Sequence, residues 1–352
     1  MDPSPSIPER IDAESVFSRP DIYPLEFARG QIQFVPMTPD SYRKSIFTDR
    51  GRIVPAASHG WQVPIGQVLS DFERRSLDQP PLFFVFHIAH CGSTLLARAI
   101  DIPGRTLVIR EPFTLRQLAV DAAAPQGPRD PATWNRCLRL TTVLLGRRYA
   151  ADQAVIVKAN VPVNFMLPAL MNLHRESRGL LLHTGLDNYL LSVLKTPMHR
   201  RWVGNVTRQL TGAIRATPGL EKIDPGKLNA PEAAACLWLA QLSRFRRALA
   251  DCNRLRSLDC QLLFDRPAEV LQATLELAGA SLTGPEAGAI AGGELFRRHA
   301  KDPGRAFDRD ARTRELAALS DQLAPELDAA RNWVKSTPAG ESASVSLGRP
   351  LL

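Results

Sequence analysis

The stretch from Phe83 to Ile100, FFVFHIAHCGSTLLARAI, constrains the fold more than any other part of the chain. It opens as an unbroken apolar run, the signature of a strand covered on both faces. It then passes through small residues and leaves with helical spacing. Gly92 allows a tight turn and a close approach of backbone to a ligand. The N–H groups of residues 90–95 can then converge on one anion at a helix N-terminus, where the helix dipole also favours negative charge. Ser93 and Thr94 add hydroxyl donors and helix-capping capacity. An ordinary strand, turn and helix would fit the same residues.

An ATP- or GTP-hydrolysing loop of this shape has the pattern G-x-x-x-x-G-K-[ST]. Here His87 stands at the first glycine position and Ser93 at the lysine position. That lysine grips the β- and γ-phosphates, so its replacement argues against an ordinary ATPase or GTPase.

From residue 81 onward, short apolar runs alternate with helical segments, the rhythm of a parallel α/β sheet. The expected strands are 82–88, 106–110, 154–158, 179–184 and 258–264. Helical patterns fall at 93–101, 132–149, 163–174, 186–196, 201–215, 230–256 and near 310–335. Pro267 fits a first helical turn and Gly279 a helix end. Residues 1–75 are rich in proline and turn residues, and read as an extension packed on the core, with about fifteen disordered residues at its tip. The core domain is expected over 76–335, with a flexible tail over 336–352.

With 44% hydrophobic and 23% charged residues, the chain has a globular composition. Its net charge of +8 is carried mostly by scattered arginines. That suits an anionic ligand or a plain basic surface, and does not single out nucleic acid. Five cysteines without a CxxC pair suggest neither a zinc site nor a disulfide framework. The acidic, proline-rich N-terminus does not read as a signal peptide, and no apolar run is long enough for a membrane span. A cytoplasmic location is the resulting expectation.

Several segments, taken in order, resemble sulfotransferases that use 3′-phosphoadenosine 5′-phosphosulfate (PAPS). HCGSTLLARAI is similar to that family's loop, which carries no Walker lysine. VIREP (108–112) is similar to its second strand and following turn, and VIVKANVP (155–162) to its third strand and exit lysine. LLLHTGLDNYLLSVLK (180–195), LLFDRPAEVLQATLELAGASLT (262–283) and LFRRHAKDP (295–303) resemble later elements, the last a basic loop over the nucleotide. The resemblance spans roughly 81–305. Two positions depart from the pattern. His90 replaces a lysine or arginine, and His183 replaces an arginine that holds the 3′-phosphate.

The resemblance implies a three-layer α/β/α P-loop fold with a mainly five-stranded parallel sheet. It implies transfer of a sulfuryl group from PAPS to a hydroxyl or amine, with PAPS as co-substrate, no metal, and a small-molecule or peptide acceptor. The donor would be bound by His90, Cys91, Gly92, Ser93, Thr94, Leu95, His183, Ser192, Arg298 and Lys301. His90, if protonated, could donate to the leaving oxygen. Lys158 lies at a strand's C-terminal end, where open α/β sheets bind ligands. It could supply the loop's missing cation, or be a surface lysine. Glu111 is the candidate base, or an ion-pair partner of Arg110 or Arg116. His87 could equally be a buried strand residue. A diverged P-loop phosphotransferase and a non-catalytic nucleotide- or partner-binding relative remain the competing readings. For the acceptor, the extension and the 196–230 region are the expected source of specificity.

Overall fold

The computed structural model describes residues 7–306, 308–342 and 346–352. At its centre is a five-stranded, all-parallel sheet of order β5-β6-β4-β7-β8. These strands are β4 (Phe83–His87), β5 (Thr106–Arg110), β6 (Ala154–Lys158), β7 (Arg178–His183) and β8 (Leu255–Asp259). Every residue of β4 and β5 is buried, so both faces of the sheet are covered. That is why these segments read as unbroken apolar runs rather than alternating ones. The chain is therefore of the α/β class, with helices flanking a parallel sheet, as expected.

Four of the five strands fall where the apolar runs placed them, within one or two residues. The fifth does not. β8 ends at Asp259, and the expected strand 258–264 is mostly the helix Cys260–Asp265. The Asp259 carboxylate accepts the Gln261 N–H at 2.9 Å and caps that helix. A short apolar run such as QLLF does not distinguish strand from buried helix.

The N-terminal extension forms its own antiparallel sheet of β1 (Ile22–Ala28), β2 (Gln31–Pro36) and β3 (Trp61–Pro64). Two buried arginines fasten it to the core. Arg147 donates to the Ile22 carbonyl at 2.6 Å and to the Val16 carbonyl. Arg110, fully buried, donates to the carbonyls of Ser45 and Arg43, each at 3.0 Å, and pairs with Asp101 at 3.2 Å. A buried guanidinium persists only when its donors are satisfied. The Thr48 N–H donates to the Arg110 carbonyl at 2.6 Å. Together these bonds bring residues 47–52 to the C-terminal end of the central sheet.

Two expectations for the chain ends change. Residues 13–15, expected to be disordered, lie in the helix Ala13–Ser18, whose N-terminus Asp12 caps by accepting the Ser15 N–H at 2.8 Å. Residues 1–6 of that expected tip lie outside the described residues. The tail expected to be flexible is anchored at its far end. The Ser257 N–H donates to the Arg349 carbonyl and the Leu351 N–H to the Ser257 carbonyl, both at 2.8 Å. Pro350 thus extends the sheet beside β8; residues 343–345 of the tail lie outside the described residues. Among the described residues, no helix is long and apolar enough to cross a membrane.

Candidate active site

The turn after β4 is built from backbone conformations that side chains disfavour. Ala89 (φ 74°), His90 (φ 49°) and Gly92 (φ 78°) all lie in the left-handed region. Such strain persists only where surrounding structure fixes it. Here the Asn164 amide donates to the His87 carbonyl at 2.9 Å and to Gln241 Oε1 at 2.8 Å, while Ala89 N–H donates to His87 Nδ1 at 3.1 Å. Gly92 has a second reason to be glycine: a Cβ there would sit 3.1 Å from Leu263 Cδ2 and 3.3 Å from the Phe264 ring.

The loop forms one wall of a cavity of about 360 Å³. His90, Cys91, Gly92, Ser93, Thr94 and Leu95 line that wall. Ser192, Arg298 and Lys301 line the cavity from other elements, so residues some 200 positions apart in sequence converge on it. Arg298 and Lys301 come from the hairpin of β9 (Arg298–His299) and β10 (Asp302–Ala306), which is tied to the loop helix by an Arg98-to-Ala300 carbonyl bond of 2.9 Å. His183 departs from the expectation. As the last residue of β7 it sits opposite Asp259 and is not among the residues lining the cavity. Burial lowers its pKa, with Asp259 pulling the other way. Lys195 and Arg312, which the residue reading did not single out, line the cavity instead.

A second cavity, of about 580 Å³, shares His90, Ser93, His199 and Lys301 with the first. Its other walls come from the N-terminal extension (Phe47 to Arg52), the ends of β5 and β6, and the helix Pro197–Gln209. Its floor is a charged cluster. Glu111 follows β5 at φ 58°, held by its N–H donating to the Lys158 carbonyl at 2.7 Å. Its carboxylate is ion-paired and hydrogen-bonded to Lys158 Nζ, which lies 3.1 Å from His87 Nε2. His87 Nε2 is 3.7 Å from Glu111.

Lys158 is fully buried, which excludes the surface-lysine reading, and it lies behind Glu111 rather than on either cavity wall. Arg110 is committed to Asp101 and does not pair with Glu111.

No family model matches the chain, and no curated protein matches it in sequence. Solved structures do resemble it, among them three sulfotransferases. A sulfotransferase from Alicyclobacillus acidocaldarius is 13% identical over 71% of this chain and 94% of that one, with a TM-score of 0.37. A sulfotransferase domain from the curacin biosynthetic pathway is 16% identical over 70% and 99%, at 0.40. A Mycobacterium avium sulfotransferase is 12% identical over 73% and 80%, at 0.38. Likenesses this distant say nothing of chemistry, which rests on the residues.

Charge in the site is set by burial and by neighbours. Burial alone would raise the Glu111 pKa, but Lys158 and His87 outweigh it and hold the carboxyl well below the usual range. Burial, then Lys158, lowers His87 to about 4, so this imidazole is neutral. His90 is neutral as well: burial, then Lys301 and His199, hold it well below its ordinary value. A protonated His90 donating to a leaving oxygen therefore does not fit the ring as it sits, packed edge-on against His199 (4.7 Å between centroids) and Trp202 (5.6 Å). Lys301 lines both cavities beside the loop. Burial lowers it to about 8, Glu111 opposing, and it has no acidic partner within ion-pair distance among the described residues.

Several of these residues carried no signal in the sequence. Asn164, Gln241, Phe47 and Trp202 belong to no motif. Lys195 was within reach, because it closes the segment LLLHTGLDNYLLSVLK.

Proposed function

We propose that the chain transfers a sulfuryl group from PAPS to a hydroxyl or amine, releasing 3′-phosphoadenosine 5′-phosphate. The observation that carries this reading is the meeting of two cavities at a lysine-free anion loop, with Lys301 at the junction and Glu111 on the far side. A donor and an acceptor bound in adjoining cavities is the arrangement that group transfer requires.

In this reading, the loop N–H groups, Ser93 and Thr94 hold the donor's 5′-phosphate. Lys195, Arg298 and Arg312 supply cations for the 3′-phosphate, the role the resemblance gave to His183. Lys301 faces the charge that develops between the two cavities, where a fixed cation in a water-poor site is most effective. Glu111 accepts the acceptor's hydrogen bond and then its proton. Its low pKa makes it a weak base, so orienting the acceptor is the larger part of its work. Lys158 and His87 hold that carboxylate in place.

A melting experiment separates this reading from a diverged phosphotransferase and from a non-catalytic relative. Stabilisation by 3′-phosphoadenosine 5′-phosphate, but not by ATP or GTP with magnesium, is the expected result. Stabilisation by ATP with magnesium instead would overturn it. No response to any of the three would favour the non-catalytic relative.

A further inference from the structure

The larger cavity carries a guanidinium that the reading above does not use. Three arginines reach this cavity. Arg50 is spent on the buried Glu26, and Arg52 pairs with Asp49 at 2.5 Å. Arg116, half-buried, donates to the neutral amide of Gln209 at 3.2 Å and has no acidic partner among the described residues. The Phe113 ring lies beside both Arg50 and Arg116, with guanidinium-to-centroid distances of 5.1 and 5.9 Å. Phe47, Trp202 and Met198 add apolar wall. The volume, about 580 Å³, suits a small molecule.

The geometry points to an acceptor that joins an aromatic hydroxyl to a carboxylate, with the hydroxyl at Glu111, the ring among Phe47, Phe113 and Trp202, and the carboxylate on Arg116. This rests on the sulfuryl-transfer reading. A guanidinium presents a planar fork that matches a carboxylate with two parallel bonds, and an unspent one in a half-buried wall is a site for such a group. Aromatic walls favour an aromatic ring in offset or edge-on contact. The weak base at Glu111 selects in the same direction. A phenol, with a pKa near that of tyrosine at about 10, gives up its proton far more readily than an aliphatic alcohol.

The step balances as follows. The phenol oxygen forms a bond to the sulfur of PAPS. The bond from sulfur to the bridging phosphate oxygen breaks, and its electron pair stays on that oxygen. The phenol proton passes to the Glu111 carboxylate and then to water. The products are an aryl sulfate and 3′-phosphoadenosine 5′-phosphate.

The test follows transfer of labelled sulfate from PAPS by the full chain to three acceptors: 3-(4-hydroxyphenyl)propionate, its primary amide, and the corresponding 4-hydroxycyclohexyl acid. The acid should exceed the amide in kcat/KM by roughly ten- to a hundredfold, the effect of one charged hydrogen-bonded contact. That ratio should fall toward one in Arg116→Gln and be partly kept in Arg116→Lys. Equal use of acid and amide would overturn the inference, as would preference for the cyclohexyl acid or for a tyrosine-containing peptide. Calorimetry with 3′-phosphoadenosine 5′-phosphate, run alongside, separates the two failures. Binding without acid preference removes this inference alone; no binding removes the sulfuryl-transfer reading and this inference with it.

Discussion

Lys158 and Glu111 leave adjacent parallel strands and meet as an ion pair on the floor of the larger cavity, the lysine fully buried and the glutamate partly reachable from the cavity. The pair is fixed twice, through the side chains and through the Glu111 N–H to the Lys158 carbonyl at 2.7 Å. The two substitutions that break it should therefore differ. Lys158→Ala leaves a buried carboxylate unpaired and should cost about 3–5 kcal/mol of stability. Glu111→Gln leaves Lys158 beside His87, where the lysine can shed its proton. It should cost less stability while lowering kcat by roughly a hundredfold, through loss of the charged group that orients the acceptor hydroxyl together with its proton acceptor. Chemical denaturation and steady-state rates measure the two effects separately.

Stability should fall as acid is added, and start to fall early. His87 has a folded pKa of about 4, below its unfolded value near 6.5. A group with a lowered pKa contributes stability that is fully present above the unfolded value and is lost as pH falls toward the folded one. Between those two values the unfolded chain binds a proton that the folded one does not, which removes on the order of 3 kcal/mol of stability by about pH 4. His90, His183 and His199 are lowered by burial in the same sense. Glu111, also lowered, adds a further loss at more acid pH. Melting temperature against pH should decline from about 6.5 downward, and His87→Asn should flatten the upper part of that decline.

Lys301 should make donor binding pH-dependent in the opposite range. Its pKa of about 8 is that of a buried ammonium, and a bound anion would raise it. Binding of 3′-phosphoadenosine 5′-phosphate should weaken as pH rises above that value. Near it, binding should take up protons, visible as a binding heat that changes with the ionisation enthalpy of the buffer. Lys301→Met should lose both effects and bind roughly ten- to a hundredfold more weakly.

Gly92→Ala tests the loop itself. Its φ of 78° and the 3.1 Å approach of a Cβ to Leu263 are both unfavourable. A destabilisation of about 1–3 kcal/mol is expected from the strain, together with loss of nucleotide binding. Thr94→Ala, on the same loop and without backbone strain, should weaken binding while leaving the melting temperature of the free protein nearly unchanged.

The sequence was most readable where one physical rule acts alone. β4, β5, β6 and β7 are buried on both faces, so apolar runs marked them. Gly92 and the hydroxyls beside it marked the loop. β8 was misplaced because the short apolar run after Asp259 suits a strand and a buried helix equally. The cations were the hardest to place. Lys158 ends a strand, yet it is sealed beneath Glu111, whereas Lys301 arrives from a hairpin more than 200 residues after the loop. Which lysine faces the ligand depends on long-range packing that no local pattern encodes. The same holds for Phe47 and Arg52, which reach the site only because Arg110 and Arg147 fasten the extension to the core.

Calorimetric titration of the chain with 3′-phosphoadenosine 5′-phosphate, compared with adenosine 5′-monophosphate and with ATP plus magnesium, tests the central claim most directly. The account predicts one site that binds the bisphosphate at least about tenfold more tightly than the monophosphate, the worth of one charged contact to the 3′-phosphate. It predicts a marked loss of that binding in Lys301→Met. Tighter binding of ATP with magnesium, or no discrimination between bisphosphate and monophosphate, would contradict it.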